Sequence, residues 1–260
     1  MKGKNWREYE PPKRRRRRRR KGGLLRKLCL ALMLFLVGYV GFLVYYNFGK
    51  PYTVALDAGH GGADVGAEGV IQEVALTEQT VAELQTLLEE DGRFRVVLSR
   101  KAGEGATVTE RNHKFRRRHP DVMLSVHGNA SDSSSANGFE CYPSPPGYGN
   151  YEESLAFATL LAEEMQNIGA NLRGTGIAGV RYGYYDENGS KLLCDSSDTT
   201  VYSYDTFGML KNMSCPAVLA EQCFITNPSD VESFGTEEGC QRAAQAYYKA
   251  ICSYLEGAKQ

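Results

Sequence analysis

The chain has 260 residues and equal numbers of basic and acidic side chains, 31 of each, which is room for one domain of roughly 200 residues and an N-terminal appendage. The neutral total averages two opposites: residues 1–27 carry 14 Lys and Arg against Glu8 and Glu10, which leaves 17 basic and 29 acidic residues beyond them and a net charge of −12 there. An acidic domain repels phosphates, so nucleic acid is excluded as a partner of the main body.

The basic block centres on Arg14 to Arg20, with Lys13, Lys21, Arg26 and Lys27 around it. Leu28 to Tyr46 is an uncharged, mostly apolar run of 19 residues, about as long as a bilayer's hydrocarbon core needs. A basic block beside such a run stays cytoplasmic. A cleaved signal peptide is the competing reading. No small-x-small cleavage pattern follows the run, and the run is long for a signal peptide. A nucleic-acid patch or localisation signal competes for the Arg block. The expected division is a cytoplasmic tail at 1–27, a signal-anchor helix at 28–46, a linker at 47–51 and an exterior domain at 52–256. This makes a single-pass protein of the bacterial cell membrane with its N-terminus inside and its catalytic domain extracytoplasmic.

Tyr52 to Asp57 reads as a buried strand, ending in a Gly-rich turn from Gly59 to Gly69. The spacing of Val81, Leu84, Leu87 and Leu88 predicts a helix from about Gln72 to Glu90. Strands follow at Phe94 to Ser99 and Val122 to His127, with a helix between them at Thr107 to Arg118. Gly138 to Tyr142 is a short strand, and Glu152 to Ile168 is an amphipathic helix. Arg173 to Tyr204 is polar, rich in Gly and Tyr, and reads as irregular. Ala217 to Phe224 is a buried strand, and Thr236 to Leu255 is a C-terminal helix. Alternating strands and helices predict an α/β domain with a mainly parallel twisted sheet and helices on both faces. Seven cysteines include no CxxC pair, which argues against a structural Cys-type metal site. Outside the cell the six beyond Cys29 could pair or stay as small core residues.

Reactive groups of open α/β sheets gather beyond the carboxyl ends of the strands. Four metal-capable or acid–base residues fall there: His60, Glu73, His127 and Glu221. Two histidines and one carboxylate leave a fourth position open, which is the pattern of a catalytic zinc site. The fourth residue, Glu221, is free to carry protons. Each alone has a plainer explanation: a satisfied polar residue at a strand end, or for Glu73 a charge favoured by the helix dipole.

The motifs resemble those of the zinc-dependent N-acetylmuramoyl-L-alanine amidases of type 3. The likeness runs from about Tyr52 to Leu255. It comprises ALDAGHGGADVGAEG, Glu73 in GVIQEVALT, VVLSR, SVHGNA followed by Gly138-Phe139-Glu140, and PAVLAEQCFITN. The resemblance implies one Zn²⁺ held by His60, Glu73 and His127, with Glu221 as catalytic carboxylate. It implies peptidoglycan as substrate, cut between N-acetylmuramic acid and L-alanine, and leaves a protein activator open. A zinc peptidase acting within the stem peptide and an inactive wall-binding domain are the alternatives. Asp57, Asn129 and Asn227 are further candidates: Asp57 as hydrogen-bond partner of a metal-bound histidine, the asparagines as orienting amides. Arg111 is expected in a structural ion pair. The chain departs from the family at Glu78, where Leu is usual, at Arg116, and at Gln222 and Cys223. It also departs in the long stretch from about Ile177 to Tyr204, which reads equally as a groove lining or a solvated loop.

Overall fold

The computed structural model describes residues 22–49 and 51–257, so the expected basic tail lies outside the described residues up to Lys21. The chain divides into two units, one ending at Phe48 and the next beginning at Gly49. The first contains helix α1 (Gly22–Phe48). It starts six residues before the apolar run, because Gly22 to Lys27 contain no Pro to stop a helix propagating backward. Its Leu25–Tyr45 portion, with a mean hydropathy of 2.4, is long and apolar enough to cross a membrane by length and composition.

The second unit is built on a five-stranded sheet: β1 (Tyr52–Ala58), β2 (Phe94–Leu98), β3 (Val122–Asn129), β4 (Glu140–Pro143) and β8 (Ala217–Phe224). Their order is β2-β1-β3-β8-β4. The first four are parallel and β4 closes the edge antiparallel to β8. The helices are α2 (Glu73–Asp91), α3 (Val108–Arg116), α4 (Tyr151–Asn167) and α6 (Glu237–Gly257). A turn of helix, α5 (Pro228–Asp230), runs into a π-helical turn at Val231–Gly235 before α6.

Side chains alternate across a strand, so each strand feeds two cores. Val54, Leu56, Val122, Leu124, Val126, Val218 and Ala220 point to the face covered by α2, α4 and α6. Ala55, Met123, Ala217 and Leu219 point the other way, under Phe115 of α3 and the segment carrying Phe207, Met209, Leu210 and Met213. With both faces covered, these strands read as continuous apolar runs. The cover is uneven: three long helices lie on one face, and one nine-residue helix lies on the other with a non-helical segment. The thinner cover leaves room for a cleft.

Helix ends follow their capping chemistry. Thr107 and Glu110 form a reciprocal capping box at the start of α3, which satisfies two otherwise orphaned N–H groups. Gly92 ends α2 in the left-handed conformation.

The stretch read as irregular is folded. Arg181–Tyr185 (β5) and Lys191–Asp195 (β6) form a hairpin, and Asp205–Thr206 (β7) adds to β5, giving the order β6-β5-β7. Asn188-Gly189 supplies the turn, with Gly189 at φ 76°, and the Asp186 carboxylate accepts from the N–H groups of Asn188 and Ser190. An Asn-Gly pair between two aromatic and aliphatic runs is a hairpin signal. The polarity of its surroundings masked it. All seven cysteines are free thiols, and Cys141, Cys215, Cys223 and Cys240 are buried in the core.

Candidate active site

The loop after β1 carries His60. Its backbone sits at φ 61°, a left-handed conformation that costs a side-chain-bearing residue about 1–2 kcal/mol. Arg111 holds the loop there. Its guanidinium donates to the Asp57 carboxylate at 2.9 Å and to the carbonyls of Ala58 and His60. Arg100, paired with Glu78, donates to the carbonyls of Ala58 and Gly59. Glu78, where the family motif has an apolar residue, therefore anchors an arginine that braces the same loop.

Glu73 opens α2 and is buried. Its Oε2 lies 3.0 Å from His60 Nε2, and its Oε1 lies 2.9 Å from His127 Nδ1. His127 ends the regular part of β3, where the pairing with β8 shifts between His127 and Asn129. Such a bulge re-aims side chains at a strand end. The ligand atoms of His60, Glu73 and His127 all lie within 4.8 Å of one another. Two glycines keep the cluster open. A Cβ at Gly66 would sit 2.6 Å from both Glu73 Oε2 and His60 Cδ2, and one at Gly59 would sit 2.4 Å from His127 Cε1.

Glu221 of β8 is the register partner of His127 on one side and of Glu140 on the other. It is buried, and its Oε2 has no hydrogen-bond partner among the described residues. Burial pushes its pKa up to about 7, against the pull of His127. His60 is pushed up to about 9, first by its hydrogen bond to Glu73. Burial works against a charge on His127, yet the bond to Glu73 and the charge of Glu221 raise it too. Burial would raise Glu73, but the bonds from His127 and His60 hold it well below the usual carboxylate range. A buried carboxylate set between two imidazoles favours positive charge at that point. Two imidazole nitrogens and one carboxylate match the donor set of a catalytic zinc.

The four residues line a cleft of about 420 Å³ together with Tyr185, Lys191 and Phe207. The structure thus brings together His60, Glu73, His127 and Glu221, with Asn129 at the border of the same cleft, and it places Asp57 and Asn227 outside that lining. Asp57 is fully buried between Arg111 and Ser125, whose hydroxyl donates at 2.6 Å. It makes no hydrogen bond to either imidazole among the described residues. The carboxylate that does so besides Glu73 is Asp64, 3.0 Å from His60 Nδ1. Asp57 follows the apolar run of β1 directly, so it points into the sheet layer, whereas Asp64 is carried back to His60 by the turn. Asn129 borders the cleft but donates to Glu140 at 2.6 Å. Asn227 caps α5, accepting from the N–H groups of Ser229 and Asp230, and donates to the carbonyl of Ala136. Its amide is engaged in the fold. Glu140 went unremarked as a functional residue. It is buried and accepts from Tyr142, Arg173 and Arg181. The only sequence signal for it was its place after Gly138-Phe139 at a strand start.

An open α/β sheet with two imidazoles and two carboxylates gathered toward the carboxyl ends of its parallel strands defines an α/β enzyme whose polar centre could hold a divalent cation. The chain belongs to the N-acetylmuramoyl-L-alanine amidase family, whose sequence profile matches residues 54–253. It is 32% identical over 206 residues to the N-acetylmuramoyl-L-alanine amidase LytC of Bacillus subtilis, covering 78% of this chain and 35% of that protein. It is 26% identical over 231 residues to the probable N-acetylmuramoyl-L-alanine amidase AmiB of Haemophilus influenzae, covering 81% of this chain and 54% of that protein. The chain therefore spans between a third and about half the length of these two relatives. Among solved structures it resembles the catalytic domain of CwlV, an N-acetylmuramoyl-L-alanine amidase from Bacillus (Paenibacillus) polymyxa var. colistinus. That match has a TM-score of 0.63 at 25% identity and covers 79% of this chain and 98% of that one. An N-acetylmuramoyl-L-alanine amidase from Clostridium difficile 630 shares the fold, with a TM-score of 0.63 at 22% identity over 80% of this chain and 98% of that one.

Proposed function

We propose that this chain hydrolyses the amide between N-acetylmuramic acid and L-alanine in peptidoglycan, with Zn²⁺ held by His60, Glu73 and His127 and with Glu221 carrying the proton. The observation behind this reading is the convergence of three ligand atoms within 4.8 Å beside a buried carboxylate whose Oε2 has no hydrogen-bond partner among the described residues. Bound there, zinc would polarise the amide carbonyl and make a neighbouring water acidic near neutral pH. Glu221 Oε2 accepts the proton of the attacking water, and its pKa near 7 suits a group that must both take and give a proton. The same carboxyl then delivers that proton to the departing L-alanine nitrogen. Asp64, bonded to His60 Nδ1, fixes the ring of His60 with Nε2 turned toward Glu73, and Arg111 fixes the loop that presents His60.

The test is to digest purified cell wall with the full-length chain in detergent, loaded with zinc, and to analyse the products by mass spectrometry. Intact stem peptides released from sugar strands are the expected products. Shortened peptides would replace this reading with a peptidase, and no release with zinc bound would replace it with a wall-binding domain.

The N-terminal segment fits an uncleaved anchor, with residues 1–27 inside, a spanning helix over 28–46, a linker at 47–51 and the enzyme outside at 52–256. Support comes from the 21-residue apolar stretch and the arginine block before it, by the rule that basic flanks stay cytoplasmic. Sequencing the N-terminus of the membrane-bound protein checks this: a start beyond Tyr46 means that the segment was a signal sequence.

A further inference from the structure

The β5–β6 hairpin is the long departure from the family motif, and it reaches the cleft. Tyr185 and Lys191 are register partners beside its turn and both border the space in front of Glu221. Lys191 is exposed and has no ion pair among the described residues, whereas Lys211 pairs with Asp205, and Arg173 and Arg181 pair with Glu140. Its ammonium lies 4.9 Å from the ring centre of Phe207 and 5.4 Å from that of Tyr142. The two rings meet edge to face at 4.9 Å, and Phe207 lies against Gly183, where a Cβ would be 2.3 Å from Cζ. The rings therefore form a rigid bed, and a cation resting on it has part of its ordering cost met before a ligand arrives. The ammonium is also near enough to Glu221 to favour that carboxylate's ionised form.

Lys191 is the one Lys or Arg among the described residues that lines this cleft, and it has no ion pair there, so it is open to an anion on the substrate. In the substrate of the proposed reaction the sugar strand bears no charge near the cut, because its lactyl carboxyl is tied up in the amide. The carboxylates lie on the peptide side. We infer that Lys191 is a specificity residue that binds a carboxylate of the stem peptide, the one on the residue that follows L-alanine. This rests on the amidase reading and adds to it the side of the bond that is recognised and the charge that is read.

The experiment uses the full-length chain in detergent, loaded with zinc. Two soluble glycan–peptide fragments serve as substrates, alike except that the second peptide residue carries a free α-carboxylate (D-isoglutamate) or its amide (D-isoglutamine). Wild type should favour the acid form by about tenfold in kcat/KM, a ratio that equals 1.4 kcal/mol. The preference should lie in KM and shrink as salt is raised. Lys191→Met, which keeps the stem on the rings, should cut both forms equally, and Lys191→Arg should keep the preference. If Lys191 only packs the hairpin or tunes Glu221, Lys191→Met will slow both forms alike and the wild-type ratio will survive. That outcome, or a wild type indifferent to the amide, overturns the inference while leaving the amidase reading intact. Failure of wild type to cut either form overturns both.

Discussion

His127 and Glu221 sit directly opposite each other on adjacent parallel strands, β3 and β8, so a proposed metal ligand and the proposed proton carrier share one face of the sheet. Their separation is set by backbone hydrogen bonding rather than by flexible loops. That rigidity suits a reaction in which a water must meet both a cation and a base.

Replacing Glu221 by Gln keeps the shape and removes the proton acceptor. Zinc content should stay at one per chain while kcat falls by roughly 10²–10⁴, the range for a lost general acid–base. Elemental analysis beside turnover on purified wall checks this, and wild-type turnover in the variant would remove Glu221 from the mechanism.

Gly66→Ala tests the cradle. The residue sits at φ 70°, and the added Cβ would meet Glu73 Oε2 and His60 Cδ2 at 2.6 Å. The backbone term alone costs about 1–2 kcal/mol, and the contact displaces two ligands together. The variant should fold with a lowered Tm and take up little zinc. Full zinc occupancy would mean that the loop has slack the geometry does not show.

Arg111→Met removes the guanidinium that holds Asp57 and the carbonyl of His60. Leaving a buried carboxylate unpaired costs about 3–5 kcal/mol. Stability should fall by that order in urea unfolding, and zinc affinity should fall with it, because His60 loses the restraint on its unusual φ. Arg111→Lys should recover little of either, because a single ammonium does not reproduce the fork.

The pH dependence of the metal-free protein follows from the sign of its shifts. His60 is raised from 6.5 to about 9, and Glu221 from 4.5 to about 7. A group with a raised folded-state pKa contributes stability that is complete below its ordinary value and is lost as pH climbs through the raised one. The metal-free chain should therefore lose stability from about pH 5 to 9, with the His60 share going between 6.5 and 9. A cation needs unprotonated imidazoles and must displace those protons, so its affinity rises over the same window. Thermal melts with and without zinc at pH 6, 7.5 and 9 should show the gap in Tm widening with pH. A gap that narrows would contradict the proton-filled cluster.

Much of this was legible in the chain. The apolar runs at Tyr52 to Asp57, Val122 to His127 and Ala217 to Phe224 announced a sheet buried on both faces, because strands without a wet side have no alternation to hide. His60, Glu73, His127 and Glu221 could be picked out because they follow or end such runs, or open the helix after one, and residues so placed emerge at one edge of a parallel sheet. What the tertiary structure alone decided was which polar groups meet. Asp57 and Asp64 flank His60 at similar distances along the chain, and only the turn's path gives the nearer carboxylate to Arg111 and the farther one to the imidazole. Asn227 looked like a site amide and is a helix cap. Lys191, 30 residues before Glu221 in the chain, reaches the cleft because a hairpin folds it back over Phe207. Local propensity is written in neighbouring residues, whereas the pairing of charges depends on where distant segments come to rest.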